Sequence, residues 1–218
     1  VGFPNAVGVG GAVLGTRMIY LISKNNSQLN ALAFTFLIGA FGGAIMFYSL
    51  IVDSFVMLLF GAFILGIGQS ATLQTRYAAS FVASEKFKAT ALSLAVWFSV
   101  FGSVFGPRMV GSYSNFFENI FNSELIVGYV IALVGMLFAA SSLFIFTSKK
   151  SILRSPSNLE SESNNQNSNK KNGNLLSLLL VLNHFTMVVI MSATPLHIQD
   201  IGETVQLVGI IISFHTLG

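Results

Sequence analysis

The chain contains no cysteine, which removes any disulfide framework or thiolate metal site from consideration. Charge is scarce: Asp, Glu, Lys and Arg make up 9% of 218 residues, against about 25% in an ordinary soluble domain. Short segments of alternating polar and apolar residues are missing, which excludes a β-barrel. No basic leader with a small-residue cleavage site precedes the first apolar run, so no signal peptide is read. The histidines are far apart, no HExxH occurs, and no acid pair lies inside an apolar run. A membrane-embedded enzyme needs one of those constellations; we expect no enzymatic activity, no metal and no cofactor.

Apolar sequence is abundant. Hydrophobic residues form 53% of the chain, and the mean hydropathy is +0.75. Apolar runs cover roughly 1–22, 31–52, 55–75, 89–113, 124–147, 175–198 and 204–218. Each complete run meets the need for about 20 residues to cross hydrocarbon. The expected fold class is an all-α polytopic membrane protein embedded in a lipid bilayer.

The net charge of +3 does not indicate nucleic acid, because the basic residues are segregated by loop. Lys24 follows the first run; Arg76, Lys86 and Lys88 follow the third; Lys149, Lys150, Arg154, Lys170 and Lys171 follow the fifth. The intervening loops hold Asp53, Glu118, Asp200 and Glu203 and no Lys or Arg. This positive-inside pattern places 23–30, 76–88 and 148–174 in the cytoplasm of a cell-membrane protein. Residues 149–174 are rich in Ser, Asn, Lys and Glu; they read as a flexible cytoplasmic linker. It divides an N-terminal bundle (1–148) from the start of a second bundle (175–218). The Phe-rich segment 114–123 reads as an interfacial outer loop.

Lipid gives helices no hydrophobic drive to associate, so small residues that let backbones approach carry information. Gly11 and Gly15 mark the first run, Gly39 and Gly43 the second, and Gly61, Gly66 and Gly68 the third. The fourth is the most informative: Ala91, Ala95, Ser99, Gly102 and Gly106 recur at helical spacing, and Gly106-Pro107-Arg108 follows near its far end. A soluble core helix seldom combines these residues; a membrane helix that packs closely and bends does.

The stretch from Gly66 to Gly111, GIGQSATLQTRYAASFVASEKFKATALSLAVWFSVFGSVFGPRMVG, resembles the fourth and fifth helices of the major facilitator superfamily (MFS). Arg76-Tyr77 matches the Arg-bearing cytoplasmic end of the fourth helix. Gly102, Gly106, Pro107 and Gly111 match the glycine-rich "antiporter" motif of the fifth helix of proton-coupled exporters. An earlier motif glycine falls near Ser93, and the paired terminal glycines reduce to Gly111. The segment from His184 resembles the seventh and eighth helices more loosely. On this alignment the chain is a partial MFS fold, family helices two to eight of twelve, an internal piece of a transporter-sized protein. The family's Asp-bearing loop between helices two and three is replaced by GTRMIYLISKNNSQ, which keeps Lys24 but has no Asp. Arg76 and Lys24 are therefore the candidates for a cytoplasmic gate, with the usual acidic partner missing.

The resemblance implies a secondary active transporter working by alternating access, a monomer at full length, exporting a small organic molecule against a proton gradient. A uniporter, an importer and a channel-like or non-transporting bundle remain alternatives. Candidate substrate or proton-path residues are Gln69, Trp97, His184, His215 and Arg108. Gln69 is an amide in an apolar run and is expected to face the bundle interior. Trp97 lies mid-span, away from the interfaces where Trp is commonest, and either packs or stacks on substrate. His184 and His215 fall near mid-bilayer, where each either bridges helices or carries a proton. Arg108 either snorkels to the outer headgroups or serves the pathway; Arg17 snorkels or lines the cavity mouth. His197 reads as interfacial. No Asp or Glu lies well inside a run.

Overall fold

In a computed structural model, residues 2–121, 123, 125–149, 193, 197, 198, 200–202 and 204–217 are described. Six α-helices follow in order: α1 (Gly2–Asn25), α2 (Gln28–Ile51), α3 (Phe55–Val82), α4 (Lys88–Phe121), α5 (Ile126–Lys149) and α6 (Val205–Leu217), with a 3-10 turn at Glu85–Phe87 before α4. No strand occurs among the described residues. The first five helices are long and apolar enough to cross a membrane.

Short connections force antiparallel neighbours. The α2–α3 turn is three residues long, and its geometry explains how. Asp53 sits in the left-handed region at φ 52°, and Ser54 donates its backbone N–H to the Ser49 carbonyl at 3.0 Å, closing a Schellman motif at the end of α2. Ser54 then begins α3, its hydroxyl accepting from the Met57 N–H at 3.4 Å.

Helix α3 is the centre of the bundle, packing on α2 and α1, while α5 packs on the other side of α2. Glycines let the backbones touch. A Cβ on Gly39 would lie 2.6 Å from the Cα of Gly68, so α2 and α3 are in backbone contact there. Gly66 is seated on the Gly8 carbonyl of α1, and Gly11 on the Phe63 carbonyl of α3. The buried side chains gather toward the end of the bundle that holds the α1–α2 turn: Ile19, Leu32, Phe36, Ala71, Ala78 and Ala140 form one cluster. Buried Thr35 and Ser70 satisfy their hydroxyls inside their own helices, on the Ala31 carbonyl at 2.8 Å and the Ile67 carbonyl at 2.7 Å.

Segment 114–123 differs from its expected loop. Helix α4 continues through it to Phe121, giving 34 residues, or about 51 Å at 1.5 Å per residue. That exceeds the roughly 30 Å of hydrocarbon, so α4 projects past the core or tilts. Aromatic packing explains the extension: Phe121 meets Phe47 of α2 edge-on, ring centroids 5.6 Å apart, and Phe117 stacks on Phe121 at 6.1 Å. The linker expected over 149–174 lies outside the described residues except for Lys149, the last residue of α5.

Candidate functional site

Two features of α4 stand out, a cleft on one face and a helix contact on another. The cleft has a volume of about 430 Å³ and lies between α4 and the body formed by α2, α3 and α5. Phe36 closes one side, and Ala132, Gly135, Met136 and Ala139 of α5 form the floor. Thr72, Thr75 and Arg76 line it from α3, and Ala95 and Ser99 from α4.

The two walls follow from helical spacing. On α3, Gln69, Thr72 and Arg76 recur at i, i+3 and i+7, and so share one face. On α4, Ala95, Ser99, Gly102 and Gly106 share another. Ala95 and Ser99 of the stripe line the cleft, and Gly102 and Gly106 follow further along α4. A Cβ added at Gly102 or Gly106 would meet nothing within 4 Å; these glycines leave space here instead of bringing backbones together. The Thr75 and Ser99 hydroxyls donate within their own helices, to the Ala71 carbonyl at 2.8 Å and the Val96 carbonyl at 2.6 Å.

Charge in and around the cleft is one-sided. Arg76 is exposed along it. Among the described residues the one ion pair is Lys88–Glu85 at 2.6 Å, and no acidic side chain lines the cleft. Lys24, Lys86 and Lys88 lie at the same end of the bundle, while Asp53 and Glu118 lie at the other.

The second feature is the contact of α4 with α6. Gly209 is buried against the Pro107 carbonyl, where an added Cβ would sit 2.5 Å from the oxygen. Ser213, one turn on, shares its hydroxyl proton between the Val104 carbonyl at 2.8 Å and the Gly209 carbonyl of its own helix at 2.7 Å. The register, 209 to 107 and 213 to 104, makes the two helices antiparallel. Pro107 lies inside α4 and lacks the N–H that would bond the Ser103 carbonyl. Gly106 eases the crowding that a proline ring imposes on the residue before it. Gly111 and Ser114 continue the Val104–Pro107 row and are the buried residues of α4.

The remaining expected residues are dispersed. Gln69 is exposed, on the α3 face that carries Arg76, instead of enclosed by the bundle. Trp97 is 64% exposed and begins an aromatic ladder away from the cleft face: it meets Phe101 edge-on at 5.0 Å, and Phe101 stacks on Phe105 at 6.3 Å. Arg108 and Arg17 are both exposed. His197 is exposed in the short helical stretch before α6. The backbone of His215 lies in α6, whereas His184 lies outside the described residues. Sequence reasoning missed Gly209 and Ser213. Their signal was present as a small-xxx-small pair. It likewise missed Thr72, whose spacing from Arg76 was the clue.

Comparison with known proteins gives two relatives, both from Bacillus subtilis (strain 168). The uncharacterized MFS-type transporter YdeG is 27% identical over 224 residues, covering 98% of this chain and 52% of its own length. The uncharacterized MFS-type transporter YddS is 27% identical over 225 residues, with the same coverage. The chain thus spans about half the length of the curated relatives it matches. No family model matches the chain, and no solved structure does. The likeness expected from Gly66–Gly111 agrees with these relatives: the chain is similar to two proteins named MFS-type transporters along nearly its whole length.

Proposed function

From this kinship with MFS-type transporters, we propose that the chain is part of a secondary active transporter that works by alternating access and couples export of a small organic solute to proton entry. In this reading two bundles, 1–148 and one beginning at 175, are joined by a cytoplasmic linker at 149–174 and rock about a central path in the cell membrane. The protein acts as a monomer at full length.

The observation that carries the reading is the seat of Gly209 on the Pro107 carbonyl. Pro107 is 19 residues into α4, or about 28 Å from its cytoplasmic start, in the outer half of the bilayer. Helices from the two bundles therefore meet there, and separating them opens the outer side. Ser213, whose hydroxyl is shared between the Val104 and Gly209 carbonyls, adds a weak polar contact at the same place, worth at most about 0.6 kcal/mol by analogy with interhelical hydrogen bonds in membranes. Gly102 and Gly106, free of neighbours in this arrangement, supply the surface on which α4 closes in the alternate one. Arg76 and Lys24, at the cytoplasmic end, form the inner gate. With no acid inside the described spans, the proton is carried by His184, His215 or a carboxylate in a helix outside this chain.

The test uses the full-length protein in inside-out vesicles with an acidic lumen and a panel of radiolabelled organic solutes. Saturable accumulation that collapses with an uncoupler supports the reading, and Gly106→Leu should abolish it without reducing membrane insertion. Non-saturating flux indicates a channel. Saturating flux indifferent to the uncoupler indicates a uniporter.

A further inference from the structure

The cleft between α3 and α4 has the makings of a ligand site in its own right. Its volume of about 430 Å³ falls in the range of small-molecule pockets, about 300–1,000 Å³. Its walls are mostly apolar, with polarity confined to Arg76 and three hydroxyl side chains. Two of those hydroxyls spend their protons within their own helices. The groups left to bind a guest are the guanidinium of Arg76 and the hydroxyl of Thr72.

The charge balance selects the guest. Four acidic side chains fall among the described residues: Asp53, Glu85, Glu118 and Asp200. Glu85 is held by Lys88. Asp53 follows α2 and Glu118 is near the end of α4, both at the opposite end of the bundle, while Asp200 lies just before α6. None lines the cleft. A guanidinium beside an apolar wall, short of a carboxylate, attracts a planar anion that accepts two parallel hydrogen bonds. Phe36, Met136 and Ala95 would cover an apolar body attached to it.

We infer that the α3–α4 cleft binds an amphipathic anion, its carboxylate or phosphate on Arg76 and Thr72 and its apolar part against Phe36 and Met136. The inference rests on the transporter reading only for the guest's purpose. A transported solute and an anionic lipid of the cytoplasmic leaflet share this chemistry.

The experiment measures thermal stabilisation and binding in full-length protein in nanodiscs. In phosphatidylcholine discs, 4-phenylbutyrate is compared with neutral 4-phenylbutanol; separately, phosphatidylglycerol discs are compared with phosphatidylcholine discs. Stabilisation by 4-phenylbutyrate but not by the alcohol identifies a solute site, and stabilisation by phosphatidylglycerol alone identifies a lipid site. In either case Arg76→Gln should weaken binding by about 10- to 100-fold. Arg76→Lys, which keeps the charge but loses the fork, should lie between. Equal effects of acid and alcohol, no stabilisation by either anion, or anion effects unchanged in Arg76→Gln would overturn the inference. Saturable transport with no Arg76-dependent binding of these anions would overturn the site and leave the transporter reading. Arg76-dependent anion binding without saturable transport would do the reverse.

Discussion

Replacing Gly209 with alanine is a small change with a calculable consequence. Its Cβ would lie 2.5 Å from the Pro107 carbonyl oxygen, where ordinary contact begins at 3.4 Å. The obstacle is backbone on both sides, so α6 must move off α4 by about 0.9 Å, since no side chain can rotate away. The same movement stretches the Ser213–Val104 contact from 2.8 Å to roughly 3.7 Å, past the bonding range, and leaves the hydroxyl on the Gly209 carbonyl of its own helix. Overpacking of this kind costs about 1–3 kcal/mol, a factor of roughly 5 to 150 in the ratio of the packed to the separated arrangement. Cysteine cross-linking reads that ratio, because the chain contains no cysteine of its own. Ser112 on α4 and Thr204 just before α6 are exposed and fall opposite one another in the antiparallel register. With cysteines at both, Gly209→Ala should cut the yield of a short bis-maleimide cross-link sharply. Gly106→Ala, which places its methyl group in open space, should leave the yield at the unsubstituted level. An unchanged yield in Gly209→Ala, or an equal fall in both variants, would refute the reasoning.

Other expectations follow from the same packing. Gly39→Leu drives a branched side chain into the Gly68 backbone, which a Cβ alone would reach at 2.6 Å; it should lose several kcal/mol of bundle stability, read as loss of the monodisperse peak on size exclusion in mild detergent. The charge segregation predicts that Asp53→Cys reacts with an impermeant maleimide added to intact cells, whereas Asn26→Cys reacts only after permeabilisation. Trp97 is the chain's single tryptophan, and its ring lies against Phe101. Phe101→Ala should therefore shift its emission, and an unchanged spectrum would mean that the ladder does not form.

Much of the architecture was legible because the bilayer reduces the problem to few variables. Apolar run length marks the first five helices. The end of α4 was not legible. The segment after Gly111 is polar enough to leave the membrane, yet it stays helical because Phe121 finds Phe47 on α2, a partner distant in sequence. The glycine stripes expose a similar limit. Spacing tells which residues share a face, not what the face meets. Gly39 and Gly68 meet each other, whereas a Cβ added at Gly102 or Gly106, with the same spacing logic, would meet nothing within 4 Å. Arg76 was visible in the sequence as a basic residue at the end of an apolar run; its place beside Thr72 and Met136 required the fold.

The central claim, that α4 and α6 separate and rejoin as the protein works, is tested most directly by double electron–electron resonance. Spin labels at Ser112 and Thr204 of the full-length protein in nanodiscs would be compared at pH 5.5 and pH 8. Two distance populations whose proportions change with pH are the expected result. One narrow population, identical at both pH values and in the presence of solute, would contradict the account.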